Sequence, residues 1–375
     1  MAMTQRERIL AVYRGEVPDV VPYILDLSHW FYHKYHMPWD LSQSFETPEK
    51  ELIDYHRQAN VGFCIANLAS FYTTEYGDDV VAETVQDRSG DERAITWRLS
   101  TPLGAIERER VWEERTYAWA IKRWGVRTEQ DLRILGYALA SRTYAPMWDH
   151  YEAWADYAGD CGVIYMGFGY TAIGHLLNLW MGTAPLMYAT YDWPETMHEV
   201  VEQINDNALD LVDLLVASPA EVVIMTDNFS SDLQPPHFFE EWSRPFYVEA
   251  IRRLHAAGKY VAVHIDGKLR ASLSMIRDVG ADCADAVTPV PMGDLRPDEC
   301  REEAGPDFIL SGGVSPDLWL PETSTERFTQ AVLDWLEMKL HSPSLIASAG
   351  DQVPPGAVEG RIELMGELVE QYGKY

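Results

Sequence analysis

Short apolar runs alternate with amphipathic stretches along most of this chain. Residues 20–27 (VVPYILDL), 61–68, 163–168 (VIYMGF), 222–226, 260–264, 283–288, 308–312 and 344–348 are mostly apolar and the right length for strands covered on both faces. Helical patterns lie between them. Residues 194–215 keep an apolar stripe through Met197, Val200, Val201, Ile204, Ala208, Leu211 and Leu215, and residues 238–257, 269–279, 325–340 and 359–372 behave alike. Near the N-terminus, Thr4 caps a short helix over residues 3–14, and Thr47-Pro48 opens a second over 47–60. Eight strands, most followed by a helix, predict a (β/α)8 TIM barrel. The alternative, an open doubly wound sheet, loses support because no GxGxxG follows the first strand and no GxxxxGK[ST] occurs. Over residues 78–112 the pattern turns alternating and Thr-rich, with turn signals at Ser89-Gly90-Asp91 and Thr101-Pro102-Leu103-Gly104. That stretch is too short for its own core, so a single barrel domain over residues 1–375 with an antiparallel excursion is expected.

Charge narrows the partners. The 59 Asp and Glu against 30 Lys and Arg leave a formal charge of -29, which excludes a broad footprint for nucleic acid or an anionic membrane. The clearest local exception is the run in which Trp112, Trp119 and Trp124 interleave with Arg108, Arg110, Arg115, Lys122, Arg123 and Arg127. It reads either as a solvated hairpin and helix face or as a dock for an anionic ligand or partner protein. Cys64, Cys161, Cys283 and Cys300 show no CxxC spacing, and the opening MAMTQRERIL lacks a signal-peptide pattern, so a reduced, cytoplasmic setting is expected. Residues 161–191 contain no Asp, Glu, Lys or Arg, yet repeated Gly, Pro185, His175 and Asn178 argue for a strand, a loop and a helix rather than a membrane span.

In a barrel of this kind reactive groups gather at the C-terminal ends of the strands. Those ends carry Asp26, Ser28 and His29; Tyr170; Asp227 and Asn228; His264 and Asp266; Ser311, Gly312 and Gly313; and Ser348, Gly350 and Asp351. His264 and Asp266, two apart on one strand, project to the same side. They can be metal ligands, a proton-transfer pair or a structural pair closing the turn at Gly267, since Asp-Gly is an ordinary turn dipeptide. Asp227 and Asn228 can serve chemistry or cap the following loop. His29, His33 and His36, among the aromatics from Trp30 to Trp39, read as a lid over the pocket, with packing roles for His33 and His36.

The order of segments resembles the uroporphyrinogen decarboxylase (URO-D) superfamily: RERILAVYRGEVPDVVPY, TPLG, GFGYTAIGHLLNLWMG, the Asp227-Asn228 loop, PPHFFEEWSRPFYVEAIRRLHAAGKYVAVHIDGK, DAVTPVPMGDL, LSGGV and SAGDQVPPGA. The resemblance covers nearly the whole chain and implies a URO-D-type (β/α)8 barrel. True decarboxylases carry an Arg-rich RQAGRY-type segment that grips substrate propionates. This chain has ILDLSHWFYHKYH there, which argues against a porphyrinogen substrate. The other branch exchanges methyl groups with a corrinoid protein, and its thiol-methylating members bind zinc through HxC and a later Cys. The matching positions here are His264, Asp266 and Asp351, which implies a divalent metal, zinc or another, on harder ligands suited to an oxygenated substrate. The resemblance thus implies a methyltransferase or O-demethylase component with a corrinoid-carrying partner. In that reading Asp227, Tyr170 and Asn228 are catalytic, and Asp26, His29, Trp30 and Phe168 contact the substrate. A cofactor-free decarboxylase on a small cyclic acid and a non-catalytic ligand-binding protein are the alternatives. A homodimer is left open.

Overall fold

The computed structural model describes residues 2–37, 46–64, 70–87 and 93–375. Six parallel strands lie side by side in chain order: Met166–Gly169, Val222–Phe229, Tyr260–Ile265, Cys283–Val287, Ile309–Val314 and Leu345–Ala349. The last three are buried at every residue, as strands covered on both faces must be. Single bridges close the ring, joining Ile24 to Gly62, Phe63 to Gly162 and Tyr23 to Ala347. Ile24 N donates to the Ala347 carbonyl and Val163 N to that of Phe63, both at 3.0 Å. Residues 22–25 and 62–64 are therefore the first and second strands, and the sheet is the expected (β/α)8 barrel. Residues 65–68 of the expected second strand lie outside the described residues.

The first helix plugs the barrel floor. It runs Gln5–Tyr13, with Thr4 and Glu7 forming a reciprocal capping box. Its Ile9, Leu10, Val12 and Tyr13 pack against Ile24, Cys64, Val163, Tyr165, Val222, Ile224, Ala262, Cys283, Ile309 and Ile346, a set drawn from all eight strands. Along residues 194–215 the apolar stripe forms the helix Pro194–Val216 and buries the side chains read from it. Residues 238–257 make two helices, Pro236–Trp242 and Arg244–Ala256, rather than one. Pro245 has no N–H for the preceding turn, so the chain breaks at Ser243 and restarts with proline in its first turn.

The antiparallel excursion is a four-stranded sheet, Val81–Asp87, Ala94–Thr101, Gly104–Glu113 and Ala118–Arg123. It runs past residue 112 because the basic, aromatic run supplies its last strand. Gly104, at φ +135°, makes the turn that the TPLG signal marks. The turn at Ser89-Gly90-Asp91 lies outside the described residues. Leu99 and Ile106 of this sheet pack with Leu132 and Leu135 of helix Glu129–Ala140 and with Ile173, Leu176 and Trp180. The sheet is thereby seated beside the exit of the third barrel strand.

Residues 161–191 divide into strand Met166–Gly169, a short turn of helix, a π-helical segment His175–Trp180 and helix Thr183–Asp192. Among the described residues no helix is long and apolar enough to cross a membrane.

Candidate active site

The period of two that builds the barrel floor also builds the site above it. On the fifth strand Tyr260 packs on the floor cluster and Ala262 belongs to it; His264 and Asp266 continue the same face. On the fourth strand Val222 and Ile224 are followed by Thr226 and Asn228, and on the first Ile24 is followed by Asp26. Asp26, Tyr170, Ile224, Thr226, Asn228, His264, Asp266, Asp351 and Gln352 line one cavity of about 400 Å³ at the C-terminal ends of the strands. Enzymes with this fold do their chemistry there.

Each wall group is held by its neighbours. His264 Nδ1 lies 2.8 Å from the Asp285 carbonyl oxygen, an obligate acceptor, so in the neutral ring the proton is on Nδ1 and Nε2 keeps its lone pair. Asp26 accepts from Ser28 N at 2.9 Å and from Gln352 Nε2 at 3.2 Å, tying the first strand end to the loop that carries Asp351. Asn228 takes a left-handed backbone, φ +49°, which asparagine tolerates better than most residues. Thr226 Oγ1 donates to the Gly169 carbonyl at 2.9 Å. Gly267 sits at φ +121°, and a Cβ there would meet Ser230 Oγ at 2.7 Å. The turn forms at Gly267, and His264 and Asp266 ahead of it line the cavity.

Burial pushes the Asp351 carboxyl up to about 6; the nearby His264 opposes the shift, while Asp266 and Asp26 add to it. Burial also raises the Tyr170 phenol, so it stays protonated at neutral pH; Arg110 and Arg108 act against that rise and Asp227 with it.

Several expected site residues fall elsewhere. Asp227 alternates away from the cavity and is fully buried. It accepts from Thr171 N at 2.8 Å, Thr171 Oγ1 at 2.7 Å and the Tyr247 hydroxyl at 2.7 Å. A Cβ on Gly174 would come within 2.1 Å of its Oδ1, so Gly174 makes room for it. This carboxylate anchors the turn after the third strand and is not placed to reach a ligand. Phe168, between inward Gly167 and Gly169, faces outward onto Phe246 at 5.7 Å between ring centroids. His29 Nε2 is 3.0 Å from the carbonyls of both Thr116 and Tyr117, and burial lowers its pKa. Trp30 Nε1 donates to the Ala357 carbonyl at 3.2 Å. These three pack the barrel rim instead of lining the cavity, because they follow the alternation or the helix after the strand. His33 packs edge-on against Tyr117, and Pro38 and Trp39 of the expected lid lie outside the described residues.

Sequence reading missed Ile224, Thr226 and Gln352. Counting back by two from Asn228 finds the first two; nothing in the sequence marks Gln352.

The donor types of His264, Asp266 and Asp351 suit a divalent cation. However, among the described residues no group of three or more His, Cys, Asp or Glu is gathered so as to hold a metal ion. The three share a cavity without forming a ligand set.

Residues 171–372 match the family described as uroporphyrinogen decarboxylase (URO-D). A uroporphyrinogen decarboxylase of Magnetococcus marinus (strain ATCC BAA-1437 / JCM 17883 / MC-1) is 24% identical over 185 residues, which span 49% of this chain and 50% of that protein. The match thus extends over about half the length of that relative. A methyltransferase from Methanosarcina mazei superposes with a TM-score of 0.64 over 99% of both chains at 13% identity, a likeness of fold. The family match covers more than half of the sequence, and this chain belongs to the uroporphyrinogen decarboxylase (URO-D) family.

Proposed function

We propose that the protein is an enzyme that removes a methyl group from a small oxygenated substrate, such as a methyl ether, for transfer to a corrinoid carried by a partner protein. The observation that carries this reading is the meeting of Asp26, His264, Asp266 and Asp351 in one cavity at the strand ends. Three carboxylates lining one cavity repel a substrate carboxylate, and like charges placed together cost several kcal/mol. A decarboxylase must bring that group to its reacting centre; an ether is neutral and suffers no such repulsion. The fold shared with the Methanosarcina mazei methyltransferase supports the same reading.

The corrinoid, when bound, supplies the methyl-accepting centre. The side chains of this chain manage the oxygen left behind. As the carbon–oxygen bond breaks, both bonding electrons stay on that oxygen, which then needs a proton. Asp351, held up to about 6, still carries a proton in part of the population near neutrality and donates it. His264 Nε2 accepts a hydrogen bond from a substrate hydroxyl, and the Asn228 amide and Tyr170 phenol orient the rest of the molecule.

The test is a panel of small methoxylated compounds incubated with reduced free corrinoid as acceptor, with demethylated product followed by mass spectrometry. Product formation that Asp351→Asn lowers about 10²- to 10⁴-fold is expected. Carbon dioxide release from a small cyclic acid without corrinoid, with no demethylation, would establish the decarboxylase instead.

A further inference from the structure

Strand Gly104–Glu113 sorts its charges by face. On one face Glu107 and Glu109 pair with Arg123, at 2.5 and 3.3 Å, and Glu109 also with Lys122, at 3.6 Å. On the other face stand Arg108 and Arg110, two residues apart, and no ion pair reaches either among the described residues. Their contacts are weak. Arg108 Nη1 reaches the Leu179 carbonyl at 3.4 Å and Arg110 Nη2 that of Asn178 at 3.3 Å, both in the π-helical segment. The Arg108 guanidinium lies between the rings of Trp97 and Trp180, 4.3 and 5.0 Å from their centroids. The Nε atoms of Arg108 and Arg110 are buried without a hydrogen-bond partner.

A third cation, Arg142, lies 3.2 Å from His175 Nε2. Arginine can only donate, so that nitrogen accepts and the proton sits on Nδ1, which is also buried and unpartnered. Burial and the repulsion of Arg110 lower Arg108 to about 10. Burying unpaired charge is costly, and 59 acidic residues were available to neutralise it. The fold leaves this pair for something else.

Contacts connect the pair to the site: Tyr170, which lines the cavity, packs its ring 5.9 Å from that of His175, and Asn178, whose carbonyl Arg110 reaches, donates Nδ2 to the Asp227 carbonyl at 2.8 Å, next to Asn228 of the cavity wall. We propose that Arg108 and Arg110 form a subsite for an anionic group, a carboxylate on a small organic molecule, beyond the Tyr170 and Asn228 side of the cavity. Paired guanidiniums present forked donors that match carboxylate oxygens. The substrate is then a methoxylated acid, with its methyl ether at the aspartates and its carboxylate at the arginines. Only this last assignment, of the anion to the substrate, rests on the proposed function.

Benzoate serves as the probe, read by fluorescence of the tryptophans that flank Arg108 and by the shift of the melting temperature. Saturable binding is expected, together with a rise in melting temperature. Arg110→Gln weakens it at least tenfold, Arg110→Lys restores part of it, and Arg115→Gln on the exposed hairpin turn leaves it unchanged. Arg108→Gln weakens it too; should that variant unfold, Arg110→Gln decides. Equal affinity in wild type and Arg110→Gln, or no binding at tens of millimolar benzoate, overturns the proposal. Tighter binding of inorganic phosphate than of benzoate overturns the carboxylate assignment. Loss of benzoate binding while a neutral ether is still demethylated separates this pair from the chemistry. Absent demethylation with benzoate binding intact refutes the proposed function alone.

Discussion

The aspartates at the strand ends and the arginine pair on the antiparallel sheet are opposite answers to one problem, that of keeping charge in a poorly solvated place. Asp26, Asp266 and Asp351 share one cavity, and burial, with Asp266 and Asp26 adding to it, raises the Asp351 pKa. Arg108 and Arg110 cannot shed theirs near neutral pH, so they lean on carbonyls and indole rings instead. Among the described residues no ion pair joins the two groups. Separation of this kind suits a ligand with unlike ends. Asp227 gives the contrast within one residue type: three donated hydrogen bonds satisfy it, and it serves only the fold.

The sharpest break in the comparison is Asp351→Asn. Demethylation falls about 10²- to 10⁴-fold while benzoate still binds, as activity and binding assays on one preparation will show. Asp227→Ala does the reverse. It leaves three buried donors without their acceptor and lowers unfolding free energy by on the order of 3 kcal/mol, read from urea denaturation. A loss of activity without a loss of stability in that variant would return Asp227 to the site.

A smaller effect concerns pH. Burial pushes the Asp351 carboxyl up from an ordinary 3.8 to about 6, so the fold binds this proton more tightly than the unfolded chain does. The ionised group therefore penalises folding fully above about 6, less between 6 and 4, and not at all below. Asp351→Asn removes that penalty and gains on the order of 3 kcal/mol at pH 8, with no gain at pH 4. Urea midpoints at the two pH values check the sign. The smallest effect is expected from chelation: EDTA changes turnover by less than about twofold, since no ligand set is gathered at His264, Asp266 and Asp351. A large loss restored by zinc would show that substrate binding draws the three together around an ion.

Much of the barrel was legible beforehand because its strands are buried on both faces, which writes them into the sequence as short apolar runs. The first two strands were legible as runs but not as pairings, since among the described residues isolated bridges close the ring at Ile24, Phe63 and Ala347. Break points were harder. The helix expected over residues 238–257 splits because the missing N–H of Pro245 outweighs an unbroken apolar stripe.

Within the site, local rules placed His264 and Asp266 together, because a two-residue spacing on a strand leaves no other choice. They could not separate Asp227 from Asn228, adjacent and equally polar, of which only the second faces the cavity. Nor could they show that Arg108 and Arg110 lack, among the described residues, the carboxylates that Arg123 has, because pairing depends on which face of the sheet each side chain takes and on what packs there.

The sequence by itself determined the alternation of strands and helices, the superfamily, and the acidic character of the fifth and eighth strand ends. The tertiary structure decided which carboxylates share a cavity, which one is tied down by Thr171 and Tyr247, and which cations stay unpaired among the described residues. Periodicity is a local property that backbone geometry imposes along each element. Partnership between charges depends on groups far apart in the chain, and only the closed barrel brings them within reach.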